Sequence, residues 1–399
     1  MKAYSKNISL LYLIKIAKWF MLYMPIIVLF YQENGLSLRD VLTLQAIYSI
    51  AIIVLEIPSG YLADVWGRKN TIILGAILGT LGFAVYSFSY GFLGFLIAEL
   101  ILGIGQSFIS GSDSALLYDS LKLNNKEKHY IKYEGRILSI GNFAETIAAI
   151  AGGFLAEISL RTPFYWQTAI AFIAIPAAIM LIEPYRVQQN KSKALAQILS
   201  IVKFSLFKSR HLSVNIFFSS IIGCATLTMA WFIQAYLKDV QNFSEYQIGI
   251  AWSILNLSVG IATIFAYKLE KYFGSFLTLL LILIIISGSY IFIGITDLKI
   301  VFVIIWLFYI ARGVATPVLK DYINRLCKPE IRATVLSVRN FIIRIFFACF
   351  GPMVGWIADL YSIHTAFILT GIIILISGTI MFVIYIPFLI NKSSQSSID

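Results

Sequence analysis

The chain has 399 residues, of which 59% are hydrophobic and 13% are charged. Soluble domains carry about 25% charged residues, so a soluble protein of this length is excluded and we predict an integral membrane protein. The net charge of +11 does not indicate nucleic acid, because the bases lie in loops between apolar stretches, as membrane topology requires.

Twelve apolar stretches are each long enough to cross the hydrocarbon core, which takes about 20 helical residues. Lipid admits only helices or closed barrels, and runs of this length are helical. The first stretch is too long for a signal-peptide core and has no small-residue cleavage site, so we predict a retained helix. The predicted spans are 9–31, 39–62, 71–89, 91–118, 137–158, 163–183, 211–236, 246–266, 275–295, 300–319, 334–358 and 364–388.

Lysine and arginine are distributed unevenly between the two sides of these spans. With a cytoplasmic N-terminus, the cytoplasmic segments hold 22 of the 31 bases and the outer loops hold four. This bias predicts a multi-pass protein of the cell (inner) membrane with both termini in the cytoplasm. The longest connection, 184–210, contains an amphipathic stretch that we expect to lie on the inner membrane surface. It separates a six-helix bundle at 1–183 from a second bundle with a short tail at 211–399.

The two halves share a trace of sequence at equivalent positions. LSIGNF (138–143) opens the fifth span and LSVRNF (336–341) opens the eleventh, each after a basic loop. This placement predicts an internal repeat and hence two pseudo-symmetric six-helix bundles, one of the known plans of transporters.

The cytoplasmic turn after the second span reads PSGYLADVWGRKNT, 58–71. It resembles the loop motif of the major facilitator superfamily, roughly G-x-L-x-D-x-x-G-R-[KR], and all six of its positions match. The matching residues are Gly60, Leu62, Asp64, Gly67, Arg68 and Lys69. Together with the twelve spans, the long central loop and the half-repeat, the resemblance covers the whole chain and is closest to bacterial drug and metabolite efflux.

The resemblance implies that Asp64 is a latch, which ties the second helix to the eleventh in the outward-open state and releases when the protein opens inward. Arg68 and Lys69 are expected to hold Asp64 or lipid phosphates. The alternative is a turn that only sets topology with its two bases. In the second half the equivalent loop, YKLEKYFG at 267–274, has lost the spacing, and no latch is assigned to it.

Polar residues recur every three or four positions along the fourth span. Such spacing places them on one face of a helix, which predicts a polar stripe facing a watery cavity or, alternatively, hydrogen bonding inside the bundle. The residues are Glu99, Gly103, Gln106, Ser110 and Asp113.

Two lysines of the first span lie at depths that match acids on neighbouring spans. At 1.5 Å per residue, Lys15 lies at the depth of Asp113, and Lys18 lies at the depth of Glu145. Ionisable groups in a membrane default to functional hypotheses, and a desolvated carboxylate can carry a proton. Asp113, Glu145 and Glu99, in that order, are therefore the proton-coupling candidates. Lys15, Lys18 and Gln106 are cavity candidates.

The second half carries deep arginines without a carboxylate in mid-span. Arg344 and Arg312 therefore require an acid across the cavity or an anionic ligand, and we predict that they bind substrate. The three cysteines, Cys224, Cys327 and Cys349, have no motif spacing, so we expect neither a metal nor a disulfide.

The resemblance implies a secondary active transporter that works by alternating access, with protons, a small-molecule substrate and membrane lipids as partners, no cofactor, and a monomeric state. Exporters of the superfamily often carry a motif of small residues in the fifth span. This chain matches the motif only in part, but its positions keep small residues, and the partial match favours proton-coupled export. The alternatives are a proton-coupled uptake symporter and a flippase for an anionic lipid. An enzyme is disfavoured, since no metal spacing, nucleophile elbow or phosphate loop is present. The small residues are Gly135, Ala144, Ala148, Ala149, Gly152 and Gly153.

Overall fold

The structure, a computed structural model, describes residues 2–126, 129–184, 200–328 and 331–395. Every regular element in these residues is helical. The helices, numbered in chain order, are α1 (Lys2–Trp19), α2 (Ile27–Glu33), α3 (Leu38–Trp66), α4 (Arg68–Phe88), α5 (Gly91–Ile109), α6 (Ser112–Leu123), α7 (Tyr130–Ile158), α8 (Thr162–Phe172), α9 (Ala174–Ile179), α10 (Arg210–Ala235), α11 (Glu245–Ile295), α12 (Val301–Arg325), α13 (Arg332–Leu360) and α14 (Ile363–Gln395).

Ten helical segments in the described residues are long and apolar enough to cross a membrane. One of them, α11, is two helices that meet at Gly274, whose φ of 72° is not helical. The consecutive helices α1 and α2 cover the remaining predicted span. The prediction of an all-α membrane protein with twelve spanning segments is therefore confirmed.

Three predicted spans are interrupted in the structure. The first is divided between α1 and α2, the sixth between α8 and α9, and the fourth between α5 and α6. The break in the fourth span lies at Gly111, which has a φ of 81°, a value that residues with a Cβ rarely adopt. Residues before and after this glycine therefore do not continue one helical face.

Packing divides the chain into two compact units. The first comprises Met1–Gln188 with Leu237–Ile254, and the second comprises Gln189–Tyr236 with Leu255–Asp399. The predicted linker, 184–210, lies mostly outside the described residues, so its amphipathic role stays a prediction.

The first unit includes an apolar cluster in which α1 packs against α6, α7 and α9. The start of α11 packs on α7 within this unit. Ser253 donates a hydrogen bond to the carbonyl oxygen of Thr146 (2.8 Å), and a Cβ on Gly249 would lie 2.9 Å from the Cα of Gly153. Small residues here permit close approach of two helices, a common device in membranes, so Gly153 of the partly matched exporter motif has a packing role.

Candidate functional site

A polar cavity lies inside the first unit, against α1. Its walls carry Lys15 and Lys18 from α1, Asp113 and Ser114 from α6, and Glu134 from α7. The space between these walls is small, about 10 Å³, which is room for roughly one water molecule. Apolar side chains complete the lining: Leu11, Ile14, Ile109 and Ile137. Charges of both signs thus converge in an apolar surrounding, where electrostatic interactions are stronger than in water.

The break at Gly111 positions the acid of this cavity. Asp113 lies in the first turn of α6, where the positive end of the helix dipole stabilises a carboxylate. Its Oδ1 also accepts a hydrogen bond from the backbone N–H of Ser114 (2.8 Å). Lys18 is attracted electrostatically to Asp113 and repelled by Lys15. The structure therefore brings Lys15, Lys18 and Asp113 together. The depths predicted Lys15 with Asp113, but they paired Lys18 with Glu145, which does not line this cavity.

Glu134 is a cavity residue that the sequence analysis did not single out. Its Oε1 accepts a hydrogen bond from the hydroxyl of Ser114 (2.8 Å), which joins α7 to α6. Its Oε2 is buried and has no hydrogen-bond partner. On the preceding turn of α7, burial raises the pKa of Tyr130, and the negative charge of Glu134 adds to the shift. Buried polar atoms are nearly always hydrogen-bonded, so the open acceptor at Oε2 is unusual among the described side chains.

The other predicted acids lie elsewhere. Glu145 is half-buried on α7 and is not part of the cavity wall. Glu99, on α5, is only 4% exposed and accepts hydrogen bonds from Tyr31 (2.8 Å) and Gln45. Tyr31 in turn shares a hydrogen bond with Tyr86. Because α5 ends before Asp113, the predicted polar stripe is not one surface, and Glu99 belongs to a hydrogen-bonded core.

Gln106, the remaining cavity candidate of the first half, is half-buried on the last turn of α5. It does not line the cavity that contains Asp113.

The turn at 58–71, which carries the superfamily motif, is held by two acids that the sequence analysis also missed. Arg68 forms an ion pair with Asp119 on α6 and donates to the carbonyl oxygen of Ala115 (2.5 Å). The carboxylate of Glu183 accepts from the backbone N–H groups of Arg68 (3.0 Å) and Lys69 (2.6 Å). A carboxylate at this place caps the first turn of α4 and complements its dipole.

Within the motif itself, a Cβ added at Gly60 would have no atom within 4 Å, and Gly67 adopts a φ of 109° between α3 and α4. The side chain of Asp64 lies outside the described part of the chain, so its predicted latch stays a prediction. Arg68 pairs with Asp119, and its expected contact with Asp64 or phosphate stays a prediction.

The second unit carries its cations differently. The guanidinium of Arg312 lies 5.5 Å from the centre of the Tyr309 ring. Arg344 is half-buried. Arg339, on the same helix, is only 6% exposed and donates to Ser219 on α10 and to Asn340 (3.1 Å). Within the described residues, none of these three arginines forms an ion pair.

Comparison with known proteins places this architecture in a family. The sequence model of the Major Facilitator Superfamily matches residues 8–345 and 216–396. An uncharacterized MFS-type transporter of Methanocaldococcus jannaschii is 26% identical over 274 residues, which are 67% of this chain and 68% of that protein. Quinolone resistance protein NorA of Staphylococcus aureus is 22% identical over 361 residues, 86% of each chain.

Solved structures give the same fold. The nucleoside transporter NupG superposes with a TM-score of 0.78 at 13% identity, over 96% of this chain and 99% of that one. A bacterial homolog of the human lysosomal transporter Spinster, in an inward-facing and unoccupied conformation, gives 0.80 at 14% identity, over 97% and 98%. With a family match across nearly its whole length and the fold that accompanies it, the chain is a multi-pass membrane transporter of the Major Facilitator Superfamily.

Proposed function

We propose that this protein is a secondary active transporter that works by alternating access and exports a small or lipophilic solute in exchange for protons. The observation that carries the proposal is the convergence of Lys15, Lys18, Asp113 and Glu134 on one cavity. Ionisable groups inside a membrane are costly and mark ion or substrate pathways. Two acids and two bases in one cavity give a site whose charge changes when a proton arrives.

The proposed coupling proceeds through the attraction between Asp113 and Lys18. While Asp113 is ionised, this attraction ties α6 to α1. Protonation of Asp113 removes the attraction and leaves the charge of Lys18 unbalanced, which changes the relative free energies of the two conformations of the transporter. Glu134 offers the buried Oε2 as the second proton position. A shift of the equilibrium requires such a difference in interaction between the two states.

Export is the direction that the relatives favour. NorA is named for resistance to quinolones, and the uncharacterized archaeal relative and the structural neighbours do not indicate a direction. We place the protein in the cell (inner) membrane as a monomer, with both termini in the cytoplasm, since that orientation puts the basic connections inside. Glu145 and Glu99 remain secondary candidates for the proton. Arg312 and Arg344 remain candidates for substrate contact.

The test uses everted membrane vesicles from cells that overproduce the protein. Respiration acidifies the vesicle interior, and a pH-sensitive dye reports the gradient. The quinolone norfloxacin is added first, followed by a panel of lipophilic cations and neutral solutes. We expect at least one compound to discharge part of the gradient in these vesicles and not in vesicles from control cells. Solute movement that ignores the proton gradient would contradict the proposed coupling.

Uptake with protons is the second candidate for direction. In right-side-out vesicles an exporter leaves the solute outside, whereas a symporter accumulates it when the outside is acidic. Accumulation in right-side-out vesicles would therefore replace export by uptake without removing the coupling site. A flippase for an anionic lipid is the third candidate, supported by Arg312, Arg339 and Arg344, none of which forms an ion pair among the described residues.

A further inference from the structure

Arg339 is a buried cation whose described partners are all neutral. It lies on α13, is 6% exposed, and donates to the hydroxyl of Ser219 and the side-chain oxygen of Asn340. A buried charge is normally compensated by an opposite charge, because its removal from water costs several kcal/mol. The described residues supply no carboxylate within ion-pair distance of Arg339.

A second cation faces the same place. Lys320 on α12 lies close enough to Arg339 for the two charges to repel each other. Lys320 is five residues before the end of α12, and Arg339 is seven residues after the start of α13. At 1.5 Å per residue both lie about 8–10 Å from the connection between these helices. Their matched depth gives one cationic site formed by two neighbouring helices.

Three acids among the described residues of this unit have other partners. Glu270 accepts hydrogen bonds from Tyr322 (2.9 Å) and Ser275 (3.1 Å). Asp321 pairs with Arg325 (2.5 Å), and Asp297 lies 2.6 Å from His364. None of these interactions reaches Arg339.

We propose that Arg339, with Lys320 and Asn340, binds the anionic head of an amphiphilic organic anion, a carboxylate or a phosphate. A guanidinium presents its donors in a planar fork that matches these groups. Val335, Ile342 and Ile216 belong to an apolar cluster and lie three or four residues from Arg339 or Ser219 along their helices, hence on the same helix faces. Such a surface suits an apolar body attached to the head. The inference rests on the proposed transport function, since it names a substrate class for it.

The competing explanation is that Arg339 only joins α13 to α10 through Ser219. Substitutions separate the two. If the contact is only structural, Ser219→Ala and Arg339→Gln remove the same interaction and have the same effect on the response to anions. If Arg339 binds an anion, Ser219→Ala keeps the cation and therefore keeps the response to anions, whereas Arg339→Gln loses it.

The experiment is thermal unfolding of the purified protein in nanodiscs of phosphatidylcholine, with 2-naphthoate, 1-naphthyl phosphate or the uncharged 2-naphthamide. We expect one or both anions to raise the Tm of the wild type, Arg339→Lys, Ser219→Ala and the control Arg325→Gln by about 2 °C or more. Arg339→Gln is expected not to respond, and the amide is expected to have no effect. If Arg339→Gln proves too unstable to purify, the rise in Tm with anions is compared between Arg339→Lys, which keeps both cations, and Lys320→Gln, which lacks the second cation.

A second arm replaces part of the phosphatidylcholine with phosphatidylglycerol. A rise in Tm with this lipid alone, absent from Arg339→Gln, identifies a lipid head as the anion. A rise only with the naphthyl compounds identifies a free solute. Equal stabilisation by the amide, an unchanged anion response in Arg339→Gln, or no response to any anion would overturn the proposal. Binding is measured without a gradient, so a failure of proton coupling leaves this result intact.

Discussion

The two units differ in how their charged side chains are compensated inside the membrane. In the first unit, Lys18 faces Asp113, and Arg68 faces Asp119. In the second, Arg339 is as buried as a core side chain and has only neutral partners among the described residues. Paired charges give a site that a proton can switch, whereas an unpaired cation gives a site that an anion can fill. This difference is the basis for proposing that coupling takes place in the first unit and that the second unit binds the charge of the substrate.

The largest effect is expected from breaking the pair in the cavity. Asp113→Asn leaves Lys18 without its opposite charge, and an uncompensated charge of this kind costs up to about 3 kcal/mol of folding free energy at a half-buried site. The double variant Lys18→Gln with Asp113→Asn removes both charges and is expected to recover most of that stability. Thermal unfolding of the four members of this cycle measures the coupling. Additive effects of the two substitutions would show that the charges do not interact.

The contrast between the units predicts opposite costs for losing an arginine. Arg68→Gln leaves the carboxylate of Asp119 unpaired, so we expect a loss of about 1–2 kcal/mol of unfolding free energy. Arg339→Gln removes an uncompensated cation together with its hydrogen bonds to Ser219 and Asn340, and these effects oppose each other, so we expect a change within about 1 kcal/mol of zero. Both values come from thermal unfolding without added anions. A larger loss for Arg339→Gln than for Arg68→Gln would reverse the contrast.

Two glycines at helix junctions, one in each half, allow a finer comparison. Gly67 has a φ of 109° and Gly274 a φ of 72°, so alanine is strained at both positions. A Cβ at Gly67 would also lie 3.4 Å from the carboxyl group of Glu183, whereas a Cβ at Gly274 meets open space. We expect Gly67→Ala to cost about 1–2 kcal/mol and Gly274→Ala about 1 kcal/mol. Their melting temperatures test the order, and a reversed order would contradict the proposed role of Glu183.

The smallest effect is expected at the cap of α4. Glu183→Gln keeps an acceptor for the N–H groups of Arg68 and Lys69 but removes the negative charge at the helix start. The expected loss is about 0.3–1 kcal/mol, and it should shrink in high salt. Glu157→Gln, which changes an exposed acid at the far end of α7, serves as the control. A loss that does not depend on salt would assign Glu183 a role other than charge.

The sequence predicts the helices and the turn because these depend on local properties. Long apolar runs require helices in lipid, and the spacing from Gly60 to Lys69 is a local motif. Depth counting also brought Lys15 to Asp113, since it needs only the rise of a helix, but it assigned Lys18 to Glu145 because depth does not say which way a side chain faces. Asp119 and Glu183 were missed because they act through residues distant in sequence, at Arg68 and at the start of α4.

Three further features could not be read from spacing. The polar stripe assumed a continuous helix, and the positive φ of Gly111 moves Asp113 into the first turn of α6, away from Glu99. Glu134 precedes the predicted span 137–158, whereas α7 begins at Tyr130 and carries it into the cavity wall. Arg339 lies near the start of the predicted span 334–358, and its burial follows from packing against α10.

Proton coupling through the cavity of the first unit is tested most directly by comparing two modes of transport in proteoliposomes. Exchange of labelled for unlabelled solute needs no net proton movement, whereas accumulation driven by an imposed pH gradient does. Using a solute identified in the vesicle assay, we expect Asp113→Asn and Glu134→Gln to keep exchange and lose gradient-driven accumulation, while Glu157→Gln keeps both. If both cavity variants retain gradient-driven accumulation at the wild-type level, the proton does not pass through this cavity.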